Sequence, residues 1–538
     1  MSVGKRALKP VSPQIAAWAR KQKKNPIIAF CDAVDGLIDW SDFAEMYSHL
    51  GQPGIHPRTL AIVTLLQHAN GLSDRQAIEC LDTRLDWKYA ARMGLDDAAF
   101  DHTVLSEFRQ RLIDSGLKDV LLNKLLEAAE RNGLLKTGKQ RTDSTHILAN
   151  VRELGRLERV HEAMRVTLNV LISHHCDAYM VFHNPVWIER YDRAPYHFKA
   201  PKEGKARDKF TNDLGCDVNA LLENALKEPD LASIDAVKTL ALIFEQQFIF
   251  KESSWRLRDE DESTSNSDRI ASPHDADARF GKKGSHGWLG YKVHYTETCT
   301  PTAPRLITNV AATAACVDDS KALMRIQQSL IGRGLRPDLH LVDGGYADLT
   351  LMHDSEHKFG IKLLAPLKPS TSWQSREGQG FALSDFDLDP SAQTATCPAG
   401  KRSVSWSVRR DGGTSIAFAD EDCGACPVVE KCTKSTRGRR ITMRRPDLAR
   451  YQREKRDFQK TDQFQKQYRM RSGIEGTHSQ AVRTAGFRKT NYIGLEKTEL
   501  KGWLVAAGLN LLRIGTWLIS GTTAATRTNL MQKVAATA

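Results

Sequence analysis

Cysteine is scarce in this sequence, ten residues in 538. That density is too low for a disulfide scaffold, and the first residues, MSVGKRALKP, hold no apolar run that would serve as an export signal. Apolar stretches of membrane-spanning length are missing too. The greasiest segment, Trp503 to Ile519, is broken by Asn510 and Arg513 and reads as a buried helix rather than a span. No internal repeat is present. Acidic side chains are outnumbered, 65 Asp and Glu against 77 Lys and Arg, which leaves a net charge of +12 with histidine neutral. A hydrophobic content of 41% and a charged content of 26% exclude wholesale disorder, collagen-like structure and a polytopic membrane protein. What remains is a basic chain, expected in the cytoplasm, long enough for two to four domains of about 100–200 residues each.

The charge is concentrated. Between Lys431 and Arg471 there are 15 Lys and Arg against 4 Asp and Glu, so this one stretch holds nearly all of the net charge. A solvated basic helix is the plain reading of such a run. Here it leads into a candidate catalytic helix, which turns the expectation towards phosphate binding, with Arg439, Arg440, Arg444 and Arg445 near its start.

Residues 1–138 have helical periodicity, as in Thr59 to His68 (TLAIVTLLQH), Ser73 to Leu81 and Ser106 to Leu117, with turn signals at Gln52-Pro53-Gly54 and Asn70-Gly71. Short helices joined by tight turns suit a DNA-binding domain, although most small helical domains bind no DNA. Arg141 to Leu148 (RTDSTHIL) is a strand candidate, and helix returns from Val151 to about Phe250. The polar stretch Lys251 to Gly287 is expected to be a loop or lid. Strands are predicted at Trp288 to Thr296, Leu306 to Val310, His340 to Asp343 and Ile361 to Leu367, with a helix at Lys321 to Ile331. Such strands with a helix between them indicate an α/β core interrupted by a helical insertion. From Pro369 to about Arg445 helical periodicity gives way to turns and alternating segments (Val404 to Val408, Thr414 to Phe418). Arg450 to Arg488 is polar and helix-prone, and Leu500 to Ile519 forms a last apolar helix.

Three acids carry the main chemical hypothesis. Asp143 lies in an apparent strand (TDSTHI), Asp343 ends another (LVDGGYAD) before two glycines, and Glu475 sits on a predicted helix (RMRSGIEGTHSQ). Carboxylates so placed can hold two Mg²⁺ ions about 4 Å apart, the arrangement that serves phosphodiester transfer. Any one Asp at a strand end is more often a turn or cap residue.

The spacing Tyr468-x-x-Arg471-x-x-x-Glu475 resembles the Y-R-E-K signature of bacterial insertion-sequence DDE transposases. TDSTHI and LVDGGYAD are similar to the contexts of that family's two aspartates. GLSDRQAIECLDTRLDWKYAARMGLDDAAFDHTVLSEFRQRL, SPHDADARFGKKG and the cysteine-bearing insertion extend the resemblance over roughly residues 40–515, with the subgroup named insertion sequence eleven-eighty-two matching best. The resemblance implies an α/β fold with an RNase H-like core (139–150 and 286–368, completed by 446–520 with the Glu helix), an N-terminal all-helical DNA-binding domain (1–138), a helical insertion with polar loop (151–285), a β-rich insertion bearing four cysteines (369–445) and a flexible tail (521–538). It further implies Asp143, Asp343 and Glu475 as ligands of Mg²⁺, with Mn²⁺ as substitute. One departure is visible: the signature's lysine, seven residues after the glutamate, is Val482 here. Arg483 follows, and one extra position swings a side chain by about 100° around the helix. Arg483, Arg488 and Lys489 are candidate phosphate contacts beside Tyr468 and Arg471. Arg471 either places a DNA strand or pairs with Glu475.

Cys397, Cys423, Cys426 and Cys432 form the pattern C-x25-C-x2-C-x5-C. A C-x2-C pair with two further thiols can close a tetrahedral shell around a structural Zn²⁺. An iron–sulfur cluster is the alternative, and unlinked thiols are the plain reading. The other six cysteines are expected to be buried. His146, His286 and His294 are expected as structural histidines, Trp255 and Trp288 as packing residues rather than base-stacking platforms, and Asp318-Asp319 as a helix cap.

The function expected is a DDE transposase that binds the inverted-repeat ends of its element, nicks them with metal-activated water and transfers the 3′-OH to target DNA. Its partner is double-stranded DNA at the bacterial nucleoid, as a homodimer, without a membrane. Two other readings use the same residues: a catalytically silent DNA-binding regulator derived from such an enzyme, and a metal-dependent nuclease without strand transfer.

Overall fold

The computed structural model describes residues 10–47, 54–192, 200–262, 264–265, 267–368, 372–374 and 380–522. The expected tail beyond 522 and the start of the cysteine insertion at 369–371 lie outside them. The chain divides into two units. One takes in the residues up to Thr137, Thr142–Leu335 and those from Gly473 on; the other is Gly138–Arg141 with Arg336–Ser472.

The first unit begins with short helices, each with its own start signal. Asn25 caps Pro26–Ala33 by accepting from the amides of Ile27 and Ile28, and Ser73 with Gln76 closes a capping box on Asp74–Thr83. Pro57–Asn70 differs from an ordinary surface helix, because every residue from Pro57 to Ala69 is buried. A helix apolar all round needs cover on every side. The last helix, Leu495–Ser520, supplies part of that cover, packing on Pro57–Asn70, Pro26–Ala33 and Val120–Arg131. Two glycines permit the approach: a Cβ at Gly508 would run into the carbonyl oxygen of Leu65, and one at Gly515 into that of Pro26. By length and composition this helix could cross a membrane, but 67% of its apolar window is buried inside the protein, as the sequence reading expects.

The sheet of this unit uses residues 142–148 of β1 (Lys139–Leu148), with β4 (Arg279–Lys283), β5 (His286–Thr298) and β6 (Ile307–Ala314). β1 lies along one edge of β5. On the other edge, β4 pairs antiparallel with residues 286–290 and β6 with 291–297. Residues 488–490 extend β1 at its end, since the Leu148 amide donates to Arg488 O and the Thr490 amide to Leu148 O, both at 2.9 Å. Between β1 and β4 a helical insertion folds around its own core, with Val160, Met164 and Leu168 of Arg156–His174 meeting Val218, Leu221, Leu240 and Ile243. The expected polar loop at 251–287 is corrected by the structure. It contains β3 (Ser254–Leu257), hairpinned to β2 (Phe248–Lys251), and β4. The β2–β3 turn is made by Glu252 and Ser253, both at positive φ, and Trp255 anchors it against Phe244.

The second unit opens with Gly138–Arg141. Lys139, Gln140 and Arg141 pair in parallel with Leu339, His340 and Leu341 of β7 (Leu339–Leu341), and β7 pairs in parallel with β8 (Lys362–Leu364). The crossover helix Leu349–Phe359 is capped by Asp348 and stopped by left-handed Gly360. Then comes the cysteine insertion: β9 (Asp387–Asp389) with β10 (Thr394–Thr396), and β11 (Ser405–Val408), β12 (Thr414–Ala417) and β13 (Arg440–Met443) in a second small sheet. Its core is just Phe386, Ala395, Ile416, Phe418 and Ile441. The helix-prone run at 450–488 is not one helix. It breaks into Pro446–Gln459, Asp462–Tyr468, a 3₁₀ turn at Arg469–Gly473 and Ile474–Arg483, the last belonging to the first unit.

Gly508→Ala tests the close helix contact. Alanine is the better helix former by about 1 kcal/mol, but displacing the Leu65 backbone should cost about 1–3 kcal/mol. A lower melting temperature is expected; a higher one would mean that the two helices do not touch here.

Candidate active site

β1 alternates. Thr142 Oγ1 meets Thr296 Oγ1 of β5 at 2.7 Å, and Ser144 Oγ donates to Asp319 at 3.1 Å. Asp143, between them, therefore faces the other side of the sheet. On β5, the side opposite Thr296 carries Tyr295, whose ring lies 5.9 Å from that of His478. His478 is three residues beyond Glu475 on the helix Ile474–Arg483, hence on the same helix face. Asp143 is half-buried and Glu475 exposed. On β5 His294 is buried, and its pKa is held down to about 4, chiefly by burial, with Asp319, Lys292, Asp143 and His478 all contributing to its field.

In the second unit the Val342 amide donates to Leu364 O, and Asp343 follows directly. Asp343 Oδ1 accepts from the Gly345 amide at 2.8 Å, which folds the chain back over its own carboxylate. Asp343 stands two residues beyond Leu341, just past the end of β7. Tyr468 stacks on Phe464 with ring centroids 5.4 Å apart, and Arg471 lies in the 3₁₀ turn, where residues four apart are not aligned as in an α-helix.

The four cysteines of the insertion, Cys397, Cys423, Cys426 and Cys432, line one cleft of about 30 Å³, the volume of a water molecule or a small ion. The amides of Lys401 and Arg439 donate to the sulfurs of Cys397 and Cys423, each at 3.3 Å. Burial pushes the Cys432 thiol up, with Arg439 pulling it down and the other three cysteines adding to the rise. Among the described residues, no three His, Cys, Asp or Glu side chains are grouped tightly enough to form a metal site. Of the remaining cysteines only Cys299 is buried; Cys176 and Cys216 are exposed and Cys31, Cys80 and Cys316 intermediate, which corrects the expectation for them.

The basic residues separate into two kinds. Arg440, Arg444, Arg483, Arg488 and Lys489 are exposed, and Arg445 pairs with Asp447 at 3.0 Å. Arg488 also donates to His146 O at 2.8 Å. Arg439 is half-buried, lies 5.7 Å over the Phe386 ring and donates to Phe381 O, so it serves the small core of the insertion. Trp288 is buried and stacked on His146 at 3.8 Å, and Trp255 packs against Phe244, as expected of core aromatics. His286 is exposed. Asp318 holds the N-cap position of Asp319–Gly332 but makes no side-chain cap bond. Asp319 accepts from Lys292 Nζ at 2.9 Å as well as from Ser144, a role the cap reading did not foresee. Sequence reasoning also passed over Glu297 and Arg513; an arginine inside an apolar helix was their visible signal.

Residues 396–515 match the family described as the transposase DDE domain, and residues 18–111 the transposase domain (DUF772). No curated protein and no solved structure matches the chain. The first match takes in the four cysteines, the basic run and Glu475, while Asp143 and Asp343 lie outside both. Together they support a DNA-cleaving DDE transposase, and with the mixed helix and sheet they fit the α/β class.

Replacing Arg439 with alanine should destabilise the insertion by about 1–2 kcal/mol through the lost cation–π contact and hydrogen bond. Arg444→Ala should stay within about 0.5 kcal/mol. Urea unfolding of the two variants distinguishes them, and equal midpoints would remove Arg439 from the core.

Proposed function

We propose that this chain is an insertion-sequence DDE transposase, of the Y-R-E-K type and the eleven-eighty-two subgroup, built on an RNase H-like core. The observation that carries the reading is the transposase DDE match over the stretch holding Glu475, together with the common sheet face of Asp143 and the glutamate helix. Asp143, Asp343 and Glu475 are the proposed catalytic acids. Their donor set, carboxylate oxygens alone, fits hard divalent cations such as Mg²⁺, with Mn²⁺ as substitute. Bound there, such ions lower the pKa of water and neutralise charge on the phosphate.

The chain's own residues then divide the work. The carboxylates would hold the cations that neutralise and place the scissile phosphate for in-line attack, first by water at the element end and then by the freed 3′-OH on target DNA. Each step breaks one P–O bond and forms another, so no covalent enzyme–DNA intermediate arises. Tyr468, Arg471, Arg483, Arg488, Lys489, Arg440, Arg444 and Arg445 hold the DNA backbone, and the helical N-terminal stretch binds the inverted repeat as part of a homodimer at the nucleoid. Arg439 contributes to this indirectly, through the insertion it stabilises.

Cleavage of labelled inverted-repeat duplexes with Mg²⁺ or Mn²⁺ tests the reading. The native chain should leave a 3′-OH nick at the repeat boundary and join it to target DNA. Glu475→Gln should lose on the order of a thousandfold in rate with DNA binding retained. Binding without cleavage by either protein would favour a silent regulator, and cleavage without joining a nuclease.

For the cysteine cleft we propose a structural Zn²⁺, which would draw the four thiols together; the reading is supported by the four cysteines that line one cleft and by the two amides that donate to sulfur. Protein purified without chelator should carry one Zn²⁺ per chain, and Cys426→Ser should release it. Visible absorbance with bound iron would replace zinc by an iron–sulfur cluster, and metal-free protein with four titratable thiols would overturn both.

A further inference from the structure

The helix that carries Glu475 is ill-equipped to hold itself in place. It spans ten residues, follows a 3₁₀ turn, has no side-chain N-cap and contains Gly476. Isolated helices of this length are marginal in water, so its position must come from tertiary contacts. One guanidinium makes several polar contacts to it. Arg513, on the last helix, donates from Nη1 to Glu297 Oε2 at 3.0 Å and from Nη2 to Thr477 Oγ1 at 2.6 Å. Its Nη2 and Nε both reach Gln480 Oε1, at 3.0 and 3.3 Å, and Nη1 also donates to Arg305 O at 2.9 Å. Thr477 Oγ1 completes the loop by donating to Glu297.

Glu297 is fully buried on β5 and Thr477 is 3% exposed. A buried carboxylate needs a cation and hydrogen bonds around it, so the Glu297–Arg513 pair has little freedom to rearrange. Thr477 and Gln480 follow Glu475 by two and five residues. At about 100° per residue both fall on the side of the helix away from Glu475. The guanidinium thus grips the back of a helix whose front presents an exposed acid.

We propose that Arg513 and Glu297 are positioning residues that set the rotation and axial position of the glutamate helix, and with them the place of the Glu475 carboxylate. This rests on the transposase reading for its catalytic consequence, though not for the clamp itself. Lysine at 513 keeps the charge but carries three donors on one nitrogen, too few to replace the five bonds that the guanidinium fork makes to Glu297, Thr477, Gln480 and Arg305.

Two measurements on the full chain test the proposal. By hydrogen exchange, Arg513→Lys should lower amide protection across 474–483 by about tenfold or more, the loss expected for a charged hydrogen bond, with Pro57–Asn70 unchanged. In the cleavage assay the Mg²⁺ concentration for half-maximal rate should rise about tenfold, the mark of a displaced metal ligand, with DNA affinity unchanged and high Mg²⁺ restoring much of the rate. Glu475→Gln should show no such rescue. Thr477→Val removes a single link and should give a smaller effect of the same kind if Arg513→Lys does not fold. Unchanged protection at 474–483, or equal loss throughout the chain, overturns the clamp. Absence of cleavage by the native chain overturns the transposase reading, while the exchange experiment still decides the clamp.

Discussion

The structure depends on one packing constraint: the last helix is apolar around most of its circumference, so it must be covered on most sides at once. Leu500, Leu504, Val505, Leu509, Leu511 and Ile514 are all buried. Their cover comes from helices more than 350 residues earlier in the chain and from β6. The first unit is therefore closed by its own final segment. β6, β5 and the glutamate helix are tied to that closure through Asn510, which exchanges hydrogen bonds with the Ile307 backbone, and through Arg513, which reaches Glu297 and Thr477.

The acids of this chain differ in how far they are buried. Asp143 and Asp343 are half-buried at β1 and just past the end of β7, and Glu475 is exposed on a short helix. By contrast, carboxylates with structural duties are buried against fixed cations, as Glu297 is against Arg513 and Glu499 against Lys118 and Arg325.

Much of this was legible in the sequence, for local reasons. The strands around Tyr291 and Val310 are rich in β-branched, aromatic or apolar residues and are buried along most of their length, and the strand around Asp143 carries Thr142, Thr145 and Ile147. The last helix was readable from its apolar run. What escaped depended on partners far away in sequence. β4 (RFGKK) has Phe280 as its one large apolar residue and becomes a strand because β5 offers it an edge. Residues 488–490 join β1 across 340 positions. Arg513 looked like a break in a greasy segment because its acceptors lie on β5, on the 305 loop and on the glutamate helix. The cysteine spacing announced a cluster, but not that Arg439 would leave the basic face to support it.

The return of the final helix to the opening ones has a consequence during synthesis. Pro57–Asn70 and Val120–Arg131 leave the ribosome with an apolar groove that only residues beyond 500 can fill. At about 5–20 residues per second the remaining chain takes roughly 20–80 s to emerge. Through that interval the nascent chain holds an open hydrophobic slot, the kind of surface that makes an unfinished domain prone to aggregation. Residues 495–520 fill it, and Arg513 on that helix then meets Thr477 and Gln480 of the helix that carries Glu475.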